Sequence, residues 1–191
     1  IRDSIADNKP YDRFVREVEI LGQLDHPGIV RIIDSGVHNG RFFYVMELLD
    51  GLTLKDIKRA RRLPIGAVLS LMEQVCNGVH ALHKASVVHR DLKPDNIFVL
   101  EAEGEPEHVT KILDLGVAKH TGLVTTSSGT TLGTVTYMSP EQTRGQVVDA
   151  RADVYAICLM MFELLAGFHA MEGKSSPKTP EEWAERQRER V

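Results

Sequence analysis

The chain has 191 residues, of which 42% are hydrophobic and 26% are charged, a composition typical of globular proteins and unlike that of disordered, collagenous or disulfide-rich chains. Lys and Arg number 23 against 27 Asp and Glu, for a net charge of −4, so the charge balance does not indicate a nucleic acid or an anionic membrane as partner. A chain of this length buries roughly 70% of its unfolded surface, which suits one sizeable core or two small lobes.

No stretch of the sequence predicts a membrane span or a signal peptide. The longest uncharged stretch, 120–140, is rich in Thr, Ser and Gly, and the apolar run 154–162 is too short to cross a bilayer. Cys76 and Cys158 lie in apolar helical patterns, which predicts reduced core thiols. We therefore expect a cytoplasmic chain.

The first predicted elements are a helix and a hairpin. Apolar residues recur at helical spacing over 11–24, and Asp25-His26-Pro27-Gly28 ends that helix. Two β-rich runs, 29–37 and 41–49, flank Asn39-Gly40. This dipeptide favours a tight turn because both of its residues adopt positive φ readily, so the runs are expected to pair antiparallel.

Helices dominate the next part of the chain. Asp50-Gly51 is expected to end the hairpin, a short helix follows with Leu54 and Ile57 on one side, and a longer helix begins at Pro64. The longer helix carries one apolar stripe, formed by Val68, Leu71, Met72, Val75, Val79 and Leu82.

Short strands and two further helices complete the predicted elements. Residues 87–88, 97–100 and 109–113 are β-like. Residues 154–166 are apolar almost all round, which predicts a helix buried on every side. Thr179-Pro180-Glu181-Glu182 has the pattern of a capped helix start, and the many charges after it predict a solvated terminal helix.

The most informative stretch is His89-Arg90-Asp91-Leu92-Lys93-Pro94-Asp95-Asn96, between two short apolar runs. Asp91, Lys93 and Asn96 place an acid, a cation and an amide oxygen within a few residues, and a proline braces the loop. This combination is typical of a site that binds phosphate and metal. A charged turn with no function would explain any one of these residues but gives no reason for the ordered set.

A second acidic residue follows the next predicted strand. Asp114-Leu115-Gly116 begins eighteen residues after Asn96, directly behind the run 109–113. A carboxylate at a strand end can reach Mg²⁺, which prefers hard oxygen ligands. The triplet alone is common, and its position behind the first loop makes it informative.

Both motifs, followed by Ser139-Pro140-Glu141, resemble those of eukaryotic-type protein kinases over residues 11–173. Lys93 resembles the lysine that the serine/threonine branch has at this position. The stretch 138–142, followed by Arg144-Gly145, is similar to bacterial members of the family, which are often tethered to a membrane through segments outside the kinase domain. This likeness implies, as a second location, the cytosolic part of a membrane-anchored kinase. The resemblance implies an α+β, protein-kinase-like fold with a mostly helical larger lobe and a truncated smaller lobe made of the first helix and the hinge-side hairpin. It divides the chain into a partial kinase domain and a charged terminal tail or helix. The expected bounds are 1–173 for the partial domain, with 1–49 in the smaller lobe and 50–173 in the larger, and 174–191 for the tail.

The resemblance also implies roles for the loop residues. Asp91 would accept the proton of the substrate hydroxyl, Lys93 would hold the γ-phosphate of ATP, and Asn96 with Asp114 would bind Mg²⁺. Thr134 would support Asp91 and Lys93. Asp153 would brace the loop through backbone amides, and charge in so apolar a helix needs such donors.

Residues on the nucleotide side are assigned in the same way. Met46 would be the gatekeeper, the Glu47 carbonyl and the Leu49 amide would pair with adenine, and Phe98 would form the apolar floor under the base. Glu17 occupies the place of the glutamate that pairs with the ATP-anchoring lysine.

The uncharged segment from residue 120 onward falls where the family has its activation loop. Its hydroxyl residues are candidate phosphosites, and Arg90 is the expected partner of an added phosphate. A flexible Ser/Thr loop without regulation stays open as the alternative. The candidates are Thr125, Thr126, Ser127, Ser128, Thr130 and Thr131.

Two family features have no counterpart in the sequence: the Gly-rich loop and the strand that carries the anchoring lysine. With a first residue that is Ile1, we expect a fragment of a longer protein. Two interpretations remain, an ATP- and Mg²⁺-dependent kinase acting on protein Ser/Thr hydroxyls, or a non-catalytic pseudokinase module. The intact set Asp91, Lys93, Asn96 and Asp114 favours the kinase; the oligomeric state is not predicted.

Overall fold

The computed structural model describes residues 18–38, 41–100, 109–114, 135–171 and 179–189. Residues 18–22 form helix α1, which ends in a turn before Pro27, as the Asp25-His26-Pro27-Gly28 signal predicted. Val18 and Leu21 on this helix are buried in the core.

The predicted hairpin is present, with shorter strands than expected. β1 (Ile32–His38) pairs antiparallel with β2 (Arg41–Met46), from Ile32 opposite Met46 to His38 opposite Arg41. Residues 29–30 do not extend β1, because the amide of Val30 donates a hydrogen bond to the carbonyl of Ile112 at 3.0 Å instead. The turn residues Asn39-Gly40 lie outside the described residues.

A second sheet holds three antiparallel strands in the order β3-β4-β5: β3 (Gly51–Thr53), β4 (Ile97–Leu100) and β5 (Thr110–Ile112). The expectation that Asp50-Gly51 only ends a strand missed β3. Gly51 has φ +146°, and a Cβ there would lie 2.2 Å from the carbonyl oxygen of Val99. Glycine therefore permits the close pairing of β3 with β4.

The expectation of a strand at residues 87–88 was wrong. Val87 lies three residues after the last residue of the preceding helix, and its amide donates to the carbonyl of Leu82 in that helix at 2.9 Å. Ser86 adopts a left-handed φ of 61° between them. This is the geometry that commonly terminates a helix, and it turns the chain towards the loop that follows.

The described part of the chain has five further helices: α2 (Leu54–Ala60), α3 (Ile65–Lys84), α4 (Pro140–Thr143), α5 (Arg151–Ala166) and α6 (Pro180–Glu189). Helix α2 packs against β3 and β4. Every residue of the apolar stripe predicted for α3 is buried, and α3 packs against α5 and β5. In the described part of the chain, no helix is both long and apolar enough to span a membrane. The result is a mostly helical lobe beside a small hairpin, the α+β class that was predicted.

The expectation that the α5 segment is buried on every side was wrong. Met160 and Leu164 are buried on one face, whereas Val154 is 53% exposed and Phe162 43% exposed on another. Within the described residues α3 packs against one side of α5, and an all-round apolar pattern cannot reveal which side is covered. Cys76 and Cys158 are also exposed, not core thiols.

Helix α6 begins as predicted but is docked on the protein. Thr179 accepts a hydrogen bond from the amide of Glu182 at 3.2 Å, which caps the helix. Trp183 and Gln187 are buried, and Gln187 donates to the carbonyl of Thr136 at 2.8 Å. The prediction of a solvated helix was therefore wrong. Trp183 and Gln187 fix the inner face of α6 to the protein, and two such residues are hard to recognise in a segment with many charges.

Candidate active site

The loop between α3 and β4, residues 89–96, brings three predicted side chains together; we call it the Asp91 loop. Lys93 Nζ lies 3.1 Å from Asp91 Oδ2. Asn96 Nδ2 donates to the Asp91 carbonyl oxygen at 2.9 Å and lies 3.4 Å from Asp91 Oδ2. A single 3₁₀ turn, Pro94–Asn96, directs Asn96 back towards Asp91. The sequence prediction of one shared location holds for these three residues.

Buried Asp153 at the start of α5 fixes the backbone of the Asp91 loop. Its Oδ2 accepts the amide of His89 at 2.9 Å and its Oδ1 accepts the amide of Arg90 at 2.8 Å. Its Oδ2 is also 2.8 Å from His83 Nε2. Arg90 has a left-handed φ of 62°, which is unfavourable for a residue with a Cβ. The predicted bracing by Asp153 is confirmed, and it holds Arg90 in this conformation.

His89 connects the Asp91 loop to the strand that precedes Asp114. Burial lowers the pKa of His89, with partial compensation from the Leu113 carbonyl and nearby carboxylates, so the ring is neutral. Its Nδ1 accepts the amide of Asp91 at 3.2 Å, which leaves the proton on Nε2 to donate to the Leu113 carbonyl at 2.8 Å. Sequence reasoning included His89 in the motif without this role.

Asp114 lies at the end of β5, next to the Asp91 loop. The amide of Leu113 donates to the Asn96 carbonyl at 2.8 Å, and Asp114 has a left-handed φ of 48°. Asp114 is exposed, and its Oδ1 accepts a hydrogen bond from the Tyr44 hydroxyl at 3.1 Å. Burial and the adjacent Asp114 charge raise the pKa of Tyr44 to about 12. The structure thus brings Asp114 between the loop and strand β2.

Tyr44 was missed by sequence reasoning. It is 70 residues from Asp114 in the chain, and no local pattern records a contact over that separation. Its position on β2, two residues before Met46, was the only available signal.

Residues 47–49, the hinge segment, leave β2 towards β3. Glu47 Oε1 accepts the ammonium of Lys111 at 2.5 Å and the amide of Arg31 at 2.9 Å. Burial alone would raise the pKa of Glu47, but the hydrogen bonds from Lys111 and Arg31 outweigh it and lower that pKa. The side chain of Glu47 is therefore anchored on β5 as a carboxylate.

The other residues predicted for nucleotide binding lie at the end of β2, in the hinge segment and on β4. Phe98 on β4 pairs with Lys111 on β5, and Met46 at the end of β2 is 39% exposed. Neither the Glu47 carbonyl nor the Leu49 amide has a hydrogen-bond partner in the described part of the chain. The ion pair between Glu47 and Lys111 thus connects the hinge segment to the β4–β5 pair that carries Phe98.

Several predicted residues lie outside the described part of the chain. These are Glu17, Leu115, Thr134 and the candidate phosphosites from Thr125 to Thr131. Their expected roles stay predictions.

A profile of the protein kinase domain matches residues 1–189. The chain belongs to the protein kinase family. This kinase chain is 37% identical over 180 residues to the serine/threonine-protein kinase pkn3 of Myxococcus xanthus, covering 90% of the chain and 32% of that protein. It is 36% identical over 178 residues to the serine/threonine-protein kinase PrkC of Bacillus subtilis, covering 91% of the chain and 26% of that protein.

The fold agrees with a solved kinase structure. The crystal structure of a double mutant of the Mycobacterium tuberculosis PknI kinase domain superposes with a TM-score of 0.67 at 26% identity, covering 93% of this chain and 66% of that one. The predicted protein-kinase-like fold and the likeness to bacterial serine/threonine kinases are confirmed. The chain spans about a third or less of the length of the curated relatives named above.

Proposed function

We propose that the protein containing this kinase chain transfers the γ-phosphoryl group of ATP to Ser or Thr hydroxyls of other proteins. One observation carries the proposal: Asp91 lies within hydrogen-bond distance of Lys93 and Asn96. The loop that holds these residues is fixed by hydrogen bonds from its backbone amides to Asp153. Phosphoryl transfer depends mainly on positioning and charge stabilisation, and this rigid loop supplies both.

Each residue of the Asp91 loop has a distinct task in this proposal. Asp91 accepts the proton of the incoming hydroxyl, for which a positioned carboxylate is suited. Lys93 binds the γ-phosphate and stabilises the charge that is dispersed over the transferred group. The contact at 3.1 Å between Lys93 and Asp91 places the cation beside the base, where the hydroxyl and the phosphate must meet.

Protein kinases as a family use ATP with Mg²⁺, and here the donor set fits such an ion. Asn96 holds Nδ2 towards Asp91, which leaves its Oδ1 as a hard oxygen ligand. Asp114 adds an exposed carboxylate and follows Leu113, whose amide is bonded to the Asn96 carbonyl. Mg²⁺ is bound in such sites by one or two carboxylates plus phosphate oxygens and water. When bound, the ion neutralises charge on the phosphates; this chain contributes the two ligands and their orientation.

The nucleotide base would lie along the hinge segment. The Glu47 carbonyl and the Leu49 amide have no partners among the described residues and would pair with the edge of adenine. Met46 would border the base and Phe98 would lie beneath it. The anchoring of the Glu47 side chain on Lys111 keeps the hinge backbone in place. Glu17 and Thr134 keep the roles that the family resemblance implies.

The test is a transfer assay on the complete protein with ATP labelled in the γ-phosphate, Mg²⁺ and a mixed-sequence protein acceptor, followed by phosphoamino-acid analysis. The proposal predicts label on Ser and Thr, and a loss of about 10³-fold in rate in Asp114→Asn. Asp149→Asn is the matched control, because Asp149 is an exposed aspartate whose carboxylate pairs with Arg151 and has no role in the proposed site.

Two results would contradict the proposal. Binding of ATP without transfer to any hydroxyl would favour the pseudokinase interpretation. Equal transfer by Asp114→Asn and Asp149→Asn would remove Asp114 from the metal site.

A further inference from the structure

A cavity of about 270 Å³ lies between the end of α2 and the end of α5. Lys58, Arg61 and Arg62 contribute three cationic side chains to its lining, and Glu163 is the only carboxylate among the lining residues described. The cavity therefore carries an excess of positive charge.

The Glu163 carboxylate is already occupied by groups of this protein. Its Oε1 is paired with the ammonium of Lys58, and its Oε2 accepts the hydroxyl of Tyr137. Lys58 Nζ is also 3.3 Å from the Tyr137 hydroxyl. With both oxygens engaged, Glu163 cannot serve a basic side chain from another molecule without breaking these contacts.

The same helix neutralises a second carboxylate. Lys55, three residues before Lys58 on α2, pairs with Asp95 of the Asp91 loop. Two carboxylates near the site of the proposed reaction are thus matched by lysines from one helix. Neither is left to recognise a cationic acceptor.

The arginines of the cavity are not neutralised in this way. Arg62 donates to the carbonyls of Leu165 and Ala166 at the end of α5, where a cation is favourable but keeps its charge. Arg61 is exposed and forms no ion pair with any residue in the described part of the chain. Arg61 is therefore the group best able to meet an incoming anion.

Tyr137 connects this cavity to the Asp91 loop. It lines a narrow crevice together with Asp91 and Leu92, while its hydroxyl contacts the Lys58–Glu163 pair. An extended chain advances about 3.3 Å per residue. An acceptor segment whose hydroxyl lies at Asp91 can reach the cavity with a side chain a few residues away.

We propose that this cavity binds an acidic side chain of the acceptor protein, so that the kinase selects hydroxyls with Asp or Glu nearby over hydroxyls with Lys or Arg nearby. The inference rests on the proposed kinase activity and adds a substrate class to it. Charge complementarity identifies the occupant as an acidic protein segment.

The experiment uses the complete protein with Mg²⁺ and ATP on peptides that carry one Thr among alanines. Asp, Ala or Lys is placed at each of the four positions on either side of the Thr, and kcat/KM is measured. At one or two positions the Asp peptide is expected to exceed the Ala peptide by about fivefold, with the Lys peptide below both.

Two variants assign the preference to the cavity. Arg61→Glu is expected to abolish or reverse it, and Arg61→Ala to reduce it. Arg59→Glu is the matched control, because Arg59 is an exposed arginine two residues before Arg61, in the last turn of α2, and does not line the cavity. This variant should keep the preference.

Each contrary result has a defined meaning. Rapid transfer with equal kcat/KM for the three peptides, or a preference for Lys, overturns the inference and leaves the kinase activity intact. An equal change in the peptide preference in Arg59→Glu and Arg61→Glu also overturns the inference. So does an Arg61→Glu variant in which kcat/KM changes by the same factor for every peptide, because the cavity would then bind another segment of the kinase. Absence of transfer to any peptide or protein refutes the proposed function, and the inference with it.

Discussion

The Asp91 loop and the β1–β2 hairpin meet at Asp114, but they are held in different ways. The loop rests on fully buried polar residues: His89 is 0% and Asp153 1% exposed. The hairpin exposes large apolar side chains, among them Phe43 and Val45, and contacts the larger lobe through polar side chains such as Tyr44. The reacting groups are therefore positioned by a buried network, and the nucleotide side by a few accessible contacts.

This difference predicts where damage has its effects. A buried hydrogen-bonded carboxylate cannot be removed without leaving unsatisfied donors, so changes beneath the loop should lower both stability and rate. Partly exposed ion pairs contribute little to stability, so changes at the hinge should act mainly on nucleotide binding.

The largest effect is expected for Asp153→Ala. The variant leaves the amides of His89 and Arg90 without their acceptor, at a cost of about 3 kcal/mol, and the loop loses its fixed geometry. Hydrogen exchange at these two amides, read by mass spectrometry or NMR, should speed up strongly, and kcat should fall with it. Asp149→Ala, the same change at an exposed aspartate, should alter neither. Unchanged protection in Asp153→Ala would contradict the bracing role.

Acidification is expected to weaken the larger lobe before the hairpin. Burial lowers the pKa of His169 from 6.5 to about 4; the residue is 3% exposed, and its Nε2 has no hydrogen-bond partner in the described part of the chain. Since the unfolded state binds the proton more tightly, this contribution is complete above pH 6.5 and is lost as pH falls towards 4, by about 3 kcal/mol.

Thermal unfolding between pH 7.5 and 4.5 measures this dependence, because this range of about three units covers most of the interval between the pKa of His169 in the unfolded state and its pKa in the folded state. His169→Gln should flatten the profile, whereas His80→Gln, at an exposed histidine on α3, should leave it as in the wild type. A wild-type profile in His169→Gln would refute the assignment. Local hydrogen exchange would show whether the segment around Tyr137 and Trp183, whose rings border His169, opens first.

A smaller effect is expected at the hinge for Lys111→Met, which keeps the length of the side chain and removes the charge that anchors Glu47. The KM for ATP should rise about threefold, kcat should stay within about twofold, and stability should change by less than about 1 kcal/mol. Lys84→Met, at an exposed lysine on α3, is the control. A large fall in kcat with an unchanged KM for ATP in Lys111→Met would contradict the separation between the hinge segment, which acts on nucleotide binding, and the Asp91 loop, which acts on the rate.

Sequence reasoning reached the Asp91 loop because its groups lie within a few residues of one another. Family resemblance added Asp153, whose contacts with the loop amides the structure confirms. The link between Tyr44 and Asp114 and the link between Glu47 and Lys111 span 70 and 64 residues, and neither changes any local pattern.

The errors in the fold have a similar physical origin. Strand β3 depends on the approach of Gly51 to Val99, and the exposed side of α5 depends on which helix packs against it. Both are tertiary effects. Periodicity reports that a segment is apolar or polar, but it does not report the partner that covers it.

The most direct test of the account is steady-state kinetics of Asp91→Asn in the complete protein, with the Kd for ATP and Mg²⁺ measured on the same sample. The account predicts that kcat falls by about 10³-fold, while the Kd and the melting temperature stay close to those of the wild type, because the asparagine can keep the contacts that order the loop. Phosphoryl transfer at the wild-type rate by Asp91→Asn would contradict the assignment of Asp91 as the base.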